Sequence, residues 1–153
     1  MRTKPFKWQT RYLNVAKECA SWSKDPGSKV GAVVVGKDGQ VLSQGYNGFP
    51  RGIRDLPERL NDRETKLKYT VHAEMNAILN ASLTGTSLRD GTIYVYGLPT
   101  CSECAKAVIQ SGIKTVVVVA SDIDKSETWT KSWALSSSMF KEVGINIVEA
   151  EYE

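Results

Sequence analysis

The residues of this chain best suited to bind a metal ion are one histidine and a pair of cysteines. His72 is the only histidine among the 153 residues, and Cys101 and Cys104 follow it further along the chain. One imidazole and two thiolates form a three-ligand set for Zn²⁺ that leaves the fourth position of the ion open. A structural zinc would need a fourth protein ligand, and the remaining cysteine, Cys19, lies on the apolar face of a predicted helix, where we expect a core residue. The pattern therefore predicts one catalytic zinc site.

A carboxylate close to the histidine supplies the group that hydrolysis would need. Zinc with an open position would hold a water molecule and lower its pKa towards about 7. Glu74, in the tripeptide His72-Ala73-Glu74, can take the proton of that water and return it to a ring nitrogen and then to a leaving amine. The predicted reaction is hydrolysis at an electrophilic ring carbon with release of ammonia, as in zinc-dependent deaminases.

Two other interpretations of the cysteine pair are open at this point. A CxxC pair alone is also typical of redox centres, but that interpretation leaves His72 and Glu74 without a role. A zinc-stabilised interaction module without catalysis would require a fourth protein ligand and would not need Glu74. The combination of all four residues favours the hydrolytic site, and the non-catalytic module is kept as an alternative.

The elements that must position these residues alternate between helix and strand. Gly91, Gly112 and Gly144 mark turns between them, and the order is typical of βαβ crossovers around a mostly parallel sheet that starts with a hairpin. Both halves of the zinc motif fall at predicted helix starts. We find no repeat or linker, so residues 1–153 are predicted to form a single domain. Predicted helices cover 9–23, 72–82, 101–110 and 130–143, and predicted strands cover 30–35, 40–46, 92–96, 114–119 and 145–149.

Two other segments carry expectations about packing. Trp8, Tyr12, Val15, Cys19 and Trp22 recur at three- and four-residue intervals, which predicts that this face of the first helix is buried. The polar stretch 47–70 shows no clear periodicity and is long for a loop inside a domain, which is typical of functional loops. Part of it, 58–68, is suited to a short exposed helix.

Composition excludes several classes of protein. The net charge of +3 is too small to indicate nucleic-acid binding by itself. No apolar run approaches the roughly 20 residues that a membrane-spanning helix needs, and the first residues have no apolar core for a signal peptide. Three cysteines, two of them in one CxxC pair, are not typical of a secreted disulfide framework. We therefore expect a reduced, cytoplasmic protein.

Four segments resemble the cytidine/deoxycytidylate deaminase family. They are 23–33 (SKDPGSKVGAV), 45–52 (GYNGFPRG), 72–78 (HAEMNAI) and 101–113 (CSECAKAVIQSGI), in the family's order and spacing. The resemblance covers roughly residues 10–120. It implies a cytidine-deaminase-like α/β fold, namely a three-layer sandwich with a five-stranded mixed sheet flanked by helices. It also implies one catalytic Zn²⁺ and the conversion of dCMP to dUMP in pyrimidine deoxynucleotide metabolism.

Site residues carried over by position extend beyond the zinc ligands and Glu74. The resemblance implies that the backbone N–H of Ala73 binds the pyrimidine O2 and that Asn47 binds the sugar or the base. Ser28 and Lys29 are implied phosphate contacts, because an ammonium beside backbone N–H groups suits a phosphate. Asn47 is also a common turn residue before glycine, and Lys29 is equally well explained as a solvated lysine.

Substrate, regulation and assembly rest on the resemblance alone. It implies a nucleotide substrate, activation by dCTP, inhibition by dTTP and a homo-oligomer, specifically a hexamer. Other cytosine or adenine substrates stay as alternatives: dCTP, a free nucleoside, or a base within tRNA or single-stranded DNA. One departure bears on the site, because the family usually has proline directly before the first cysteine, whereas this chain has Pro99-Thr100-Cys101. We expect zinc binding to survive and the geometry of the strand end to differ.

Overall fold

The structure, a computed structural model, describes residues 2–120 and 127–151, and the rest of the predicted single domain lies outside this description. Helices and strands alternate much as the sequence predicts. The helices are α1 Lys7–Ser21, α2 Pro57–Leu60, α3 Arg63–Tyr69, α4 Ala73–Leu83, α5 Ser102–Gln110 and α6 Glu127–Val143. The strands are β1 Arg2–Thr3, β2 Gly31–Val35, β3 Val41–Tyr46, β4 Thr92–Gly97, β5 Thr115–Ala120 and β6 Asn146–Ala150.

These strands form one mixed sheet in the order β1-β6-β5-β4-β2-β3. The hairpin strands β2 and β3 are antiparallel, as is the pair β2 and β4, whereas β4, β5, β6 and β1 run parallel to one another. The predicted α/β sandwich is confirmed. The sheet has a sixth strand, β1, that the five-stranded prediction lacked, since two residues are too few to show any periodicity.

Helices cover both faces of the sheet and create two apolar clusters. On one face α4, α5 and α6 pack through small residues and Phe140 against side chains of the central strands, such as Val34, Ile93 and Val116. On the other face α1 packs through Leu13 and Ala16 against Val33 and its neighbours. This arrangement places the starts of α4 and α5 in the same layer, where they can approach one metal ion.

The buried face of α1 differs from the predicted one. Cys19 lies in the core as expected, but Trp8 and Trp22 are about half exposed, at 53% and 48%. The reason is the close approach of α1 to β2, because a Cβ on Gly31 would lie 1.9 Å from the carbonyl oxygen of Ala16. Only small side chains fit at that contact, so the two tryptophans stay half exposed, whereas Tyr12 and Val15 are partly buried against the second cluster.

The polar stretch 47–70 contains two short helices, α2 and α3, where the sequence predicted one short helix over 58–68. A two-residue bridge between Gly48 and Val71 closes the segment at its base. Asp62 begins α3 as an N-cap, because its side chain accepts a hydrogen bond from the backbone N–H of Thr65. Among the described helices, none has both the length and the apolar character needed to cross a membrane.

Candidate active site

The two halves of the zinc motif are positioned by the first turns of two neighbouring helices. His72 is the N-cap of α4 and Cys101 is the N-cap of α5, and both have extended backbone dihedral angles. The Cys101 sulfur accepts a hydrogen bond from the backbone N–H of Cys104 at 3.4 Å, as a capping side chain does. The positive end of the helix dipole and this N–H both favour a thiolate at that position.

His72, Cys101 and Cys104 come together as a metal-binding group. Their ligand atoms lie within 4.8 Å of one another. The Nδ1 atom of His72 is 3.4 Å from Cys101 Sγ and 3.5 Å from Cys104 Sγ. Tetrahedral zinc with ordinary Zn–S and Zn–N bonds separates such atoms by about 3.5 Å. Both the donor set and its spacing therefore fit Zn²⁺, and the prediction of these three ligands is confirmed.

The two cysteines differ in protonation when no metal is bound. A hydrogen bond from the Cys104 thiol, helped by His72 and opposed by burial, lowers the pKa of Cys101 to about 4. The same hydrogen bond, together with burial, raises the pKa of Cys104. The hydrogen bond between the His72 ring and the Cys101 sulfur raises the pKa of His72. Zinc binding therefore requires Cys104 to lose its proton and His72 to be neutral, so it is coupled to the release of protons.

Glu74 lies in the first turn of α4 and is buried, with 3% of its surface exposed. Burial is the largest effect on this carboxyl and raises its pKa to about 7, and the negative charge of Cys101 adds to the rise. A carboxyl group with such a pKa can both accept and release a proton near neutral pH. Its neighbour Ala73 is also fully buried at the helix start, where the first backbone N–H groups lack intrahelical partners.

The turn that carries Cys101 is tied to α6. The hydroxyl of Ser136 donates to the carbonyl of Thr100 at 2.8 Å, and the backbone N–H of Ser102 donates to the hydroxyl of Ser132 at 2.9 Å. Thr100 itself is completely buried. The residue that departs from the family pattern is therefore part of a fixed turn, and the zinc ligands keep their spacing, as expected.

A cleft opens beside the zinc ligands and contains most of the predicted substrate contacts. Ser28, Asn47, Ala73, His72 and Glu74 all line it. Asn47 is buried and holds the cleft wall together: its Oδ1 accepts from the backbone N–H of Val30 at 2.9 Å, and its Nδ2 donates to the carbonyl of Ser28 at 2.8 Å.

Lys29 occupies a different position from the other predicted contacts. It is exposed, its ammonium group donates to the carbonyl oxygen of Ser23, and it is not among the cleft residues. Ser28 is exposed too, but it forms part of the cleft wall. The cleft wall thus includes Ser28 together with His72 and Glu74, whereas Lys29, the next residue in sequence, lies outside it.

Among the further residues that line the cleft, three that sequence reasoning missed carry a charge or an indole ring: Arg63, Lys66 and Trp129. Lys66 is paired with Asp25 at 2.8 Å, and their side chains are only 13% and 11% exposed, so its charge is already neutralised. Within residues 2–120 and 127–151, Arg63 has no ion-pair or hydrogen-bond partner and is exposed. The ring of Trp129 lies 6.4 Å from the ring of His72.

A sequence signal for the two basic residues existed but was weak. Arg63 and Lys66 are three residues apart, so a helix in that region would place them on one side. Trp129 gave no such signal, because it lies one residue before the start of the predicted last helix. Its place at the cleft depends on how α6 docks on the sheet, which is a tertiary effect.

Comparison with known proteins assigns this architecture to one family. The model of the cytidine and deoxycytidylate deaminase zinc-binding region matches residues 6–120. An uncharacterised deaminase of Aliivibrio fischeri is 37% identical over 141 residues, which are 92% of this chain and 92% of that protein. Human deoxycytidylate deaminase is 40% identical over 130 residues, covering 82% of this chain and 71% of the human protein.

A solved structure agrees with the fold. The crystal structure of dCMP deaminase from the cyanophage S-TIM5, in complex with dCMP and dUMP, superposes with a TM-score of 0.74 over 97% of this chain and 99% of that one. Its sequence identity is 22%, so this likeness concerns the fold. Since the family match spans most of the chain and includes all three metal ligands, the chain belongs to the cytidine and deoxycytidylate deaminase family and is a zinc-dependent deaminase that binds zinc through His72, Cys101 and Cys104.

Proposed function

We propose that this deaminase converts dCMP to dUMP with release of ammonia. The observation that carries the proposal is the position of Arg63, an unpaired guanidinium group at the cleft that is also lined by the zinc ligand His72 and by Glu74. A guanidinium group there suits the phosphate of a nucleotide, and it would add nothing to the binding of a free base. Relatives named deoxycytidylate deaminase, at about 40% identity, support the same substrate.

Glu74 is the proposed proton carrier in this reaction. Zinc with an open position supplies a Lewis acid that makes water nucleophilic at neutral pH. Glu74 takes one proton from the attacking water as the C4–O bond forms, and it delivers that proton to ring N3. It then carries the second proton of the water to the exocyclic nitrogen, the C4–N bond breaks, and ammonia leaves behind a C4 carbonyl. The pKa of about 7 allows both directions of transfer.

Other groups of the cleft are proposed to hold the nucleotide. The Ala73 backbone N–H, at the start of α4, binds the pyrimidine O2. Asn47 binds a sugar hydroxyl through its second N–H, because the contact of Nδ2 with Asp25 is 3.5 Å long and therefore weak. Ser28 and Lys29 stay proposed phosphate contacts beside Arg63, with Ser28 already in the cleft wall.

Replacing Arg63 by glutamine is expected to raise the KM for dCMP about tenfold while the KM for deoxycytidine stays unchanged. A hydrogen bond to a charged group contributes about 1.5 kcal/mol or more, and 1.4 kcal/mol corresponds to a factor of ten. Arg54→Gln is the matched control, because it removes the same charge from the same segment outside the cleft. Lys29→Gln, measured in parallel, separates the contribution of Lys29. An equal KM for dCMP in wild type and Arg63→Gln would remove Arg63 from the phosphate site.

The substrate itself is tested by ammonia release from zinc-loaded protein. The substrates to compare are dCMP, dCTP, deoxycytidine, cytosine and a single-stranded oligonucleotide containing cytosine. We expect the highest kcat/KM for dCMP. A preference for any of the others would overturn the substrate proposal and leave the zinc-dependent deamination unaffected.

Regulation and assembly form the last part of the proposal. We propose that dCTP activates and dTTP inhibits this enzyme and that it works as a homo-oligomer, a hexamer by resemblance. The support for both parts is the family resemblance as a whole. Turnover of dCMP that responds to neither nucleotide would contradict the regulatory part, and a monomeric mass in solution would contradict the assembly.

A further inference from the structure

Two serines of α6 hold the backbone on both sides of the zinc ligand Cys101. The hydroxyl of Ser136, which is fully buried, donates to the carbonyl of Thr100 at 2.8 Å. On the other side, the hydroxyl of Ser132 accepts from the backbone N–H of Ser102 at 2.9 Å. This carbonyl and this N–H belong to the two peptide groups that border Cys101. Each of the two peptide groups is therefore bound to α6.

Restraining both peptide groups restrains the direction of the Cys101 side chain. The φ and ψ angles of a residue are the soft rotations between its two planar peptide groups. For Cys101 they are −70° and 162°, and they set the direction of its Cα–Cβ bond. The remaining rotation, about that bond, is restrained by the hydrogen bond that the sulfur accepts from the N–H of Cys104 at 3.4 Å. All rotations that determine the position of this sulfur are thus restrained by contacts within the protein.

The stability of α6 does not explain the two serines. Alanine is a better helix former than serine, and at a fully buried position it would also avoid the burial of a hydroxyl group. Ser136 also donates to the carbonyl of Ser132, one turn earlier in the same helix, at 3.0 Å. Such a bond inside a helix slightly destabilises it. The contacts with the Cys101 turn are the favourable interactions that the hydroxyl groups add.

We propose that Ser132 and Ser136 are positioning residues that orient Cys101 for zinc and thereby raise the affinity of the site for Zn²⁺. Groups that orient the ligands of a metal typically contribute a factor of about 10–100 to metal affinity. The two serines act through the backbone around Cys101, and their hydroxyl groups keep their protons. The inference rests on zinc binding by His72, Cys101 and Cys104 and not on dCMP being the substrate.

Alanine substitutions release the two peptide groups one at a time or together. Ser132→Ala and Ser136→Ala are each expected to raise the Kd for zinc about tenfold, and the double variant about a hundredfold. Ser138→Ala is the matched control, because it is the same substitution at an exposed position of the same helix. Its Kd should equal that of the wild type. Competition for zinc with a chelator of known affinity measures all four values.

The Kd separates positioning from a merely structural role. A loss of stability alone lowers the Tm but leaves the zinc Kd of the folded protein unchanged, so the titrations are done at a temperature at which the metal-free variants are folded. If Ser136→Ala does not fold, Ser132→Ala, at a half-buried position, carries the test alone. An unchanged Kd in the variants that fold overturns the proposal, as does an equal rise in Ser138→Ala. Because no substrate is present, failure of the dCMP proposal leaves this result unaffected.

Discussion

Replacement of Glu74 by glutamine is expected to lower kcat by about 10²–10⁴-fold, the usual contribution of a positioned acid–base group. Glutamine has nearly the same shape but cannot carry a proton. Zinc should stay bound, because the three ligand atoms come from His72, Cys101 and Cys104 and not from the carboxyl group. Steady-state kinetics and metal analysis of the purified variant test both parts. Loss of zinc along with activity would favour the non-catalytic zinc module, and full activity would remove Glu74 from the mechanism.

The same substitution should stabilise the metal-free protein in a pH-dependent way. Burial raises the pKa of Glu74 from 4.5 to about 7, so between these values the folded state binds more protons than the unfolded state. The stability that the protonated carboxyl contributes is therefore fully present below pH 4.5 and is lost as the pH rises to about 7. It amounts to about 3 kcal/mol, since one pKa unit corresponds to about 1.36 kcal/mol.

Glutamine stays neutral at every pH and escapes this loss. We expect the free energy of unfolding of metal-free Glu74→Gln to exceed that of the wild type by up to about 3 kcal/mol at pH 8 and by almost nothing at pH 4. Denaturant unfolding in the presence of a chelator, at both pH values, measures the difference. A constant difference at both pH values would show that ionisation of Glu74 is not its cause.

Replacement of Cys104 by serine is expected to abolish both zinc binding and deamination. A hydroxyl group is a poor zinc ligand, and two remaining ligands do not form the site. The protein should also lose the stability that bound zinc provides, which is about 4 kcal/mol when free zinc exceeds its Kd by a factor of 1,000. Metal analysis, turnover and thermal unfolding with and without a chelator test these outcomes together.

Cys19→Ser provides the matched control for that experiment. Cys19 is buried on α1, away from the metal-binding group, and burial raises the pKa of its thiol, so it stays protonated. This variant should keep its zinc and its kcat and lose only some stability, about 1–3 kcal/mol, as expected of a substitution that buries a polar group. Retention of zinc in Cys104→Ser, or its loss in Cys19→Ser, would contradict the assignment of the ligands.

Much of the fold and the metal site was accessible from the sequence, because both depend on local patterns. The apolar periodicity of a helix begins in its first turn. The sequence therefore placed His72 and Cys101 at the starts of two helices, where the structure has them. The edge strand β1 could not be predicted, because its two residues are a strand only through their pairing with β6, which is distant in sequence. The burial of Trp8 and Trp22 was predicted wrongly, because the small-residue contact of α1 with Gly31 is a tertiary constraint.

The wall of the cleft was the part least accessible from sequence. The pairing of Lys66 with Asp25 joins residues 41 positions apart, and no local pattern indicates it. For the same reason the sequence could not show that Lys66 is neutralised by an ion pair whereas Arg63 is not. Ser28 and Lys29, adjacent in sequence, differ because only one of them belongs to the wall.

The ion pair between Lys66 and Asp25 also has a consequence for the entropy of ligand binding. Asp25 accepts from the backbone N–H of Gly27 as well as from Lys66, so one buried carboxylate joins α3 to the turn before β2. Breaking such a buried pair is costly. The segment that carries Arg63 is therefore already ordered before a ligand arrives, and little conformational entropy is lost on association. Backbone amides of α3 should accordingly exchange with solvent deuterium more slowly than those of a short surface helix that lacks such a tie.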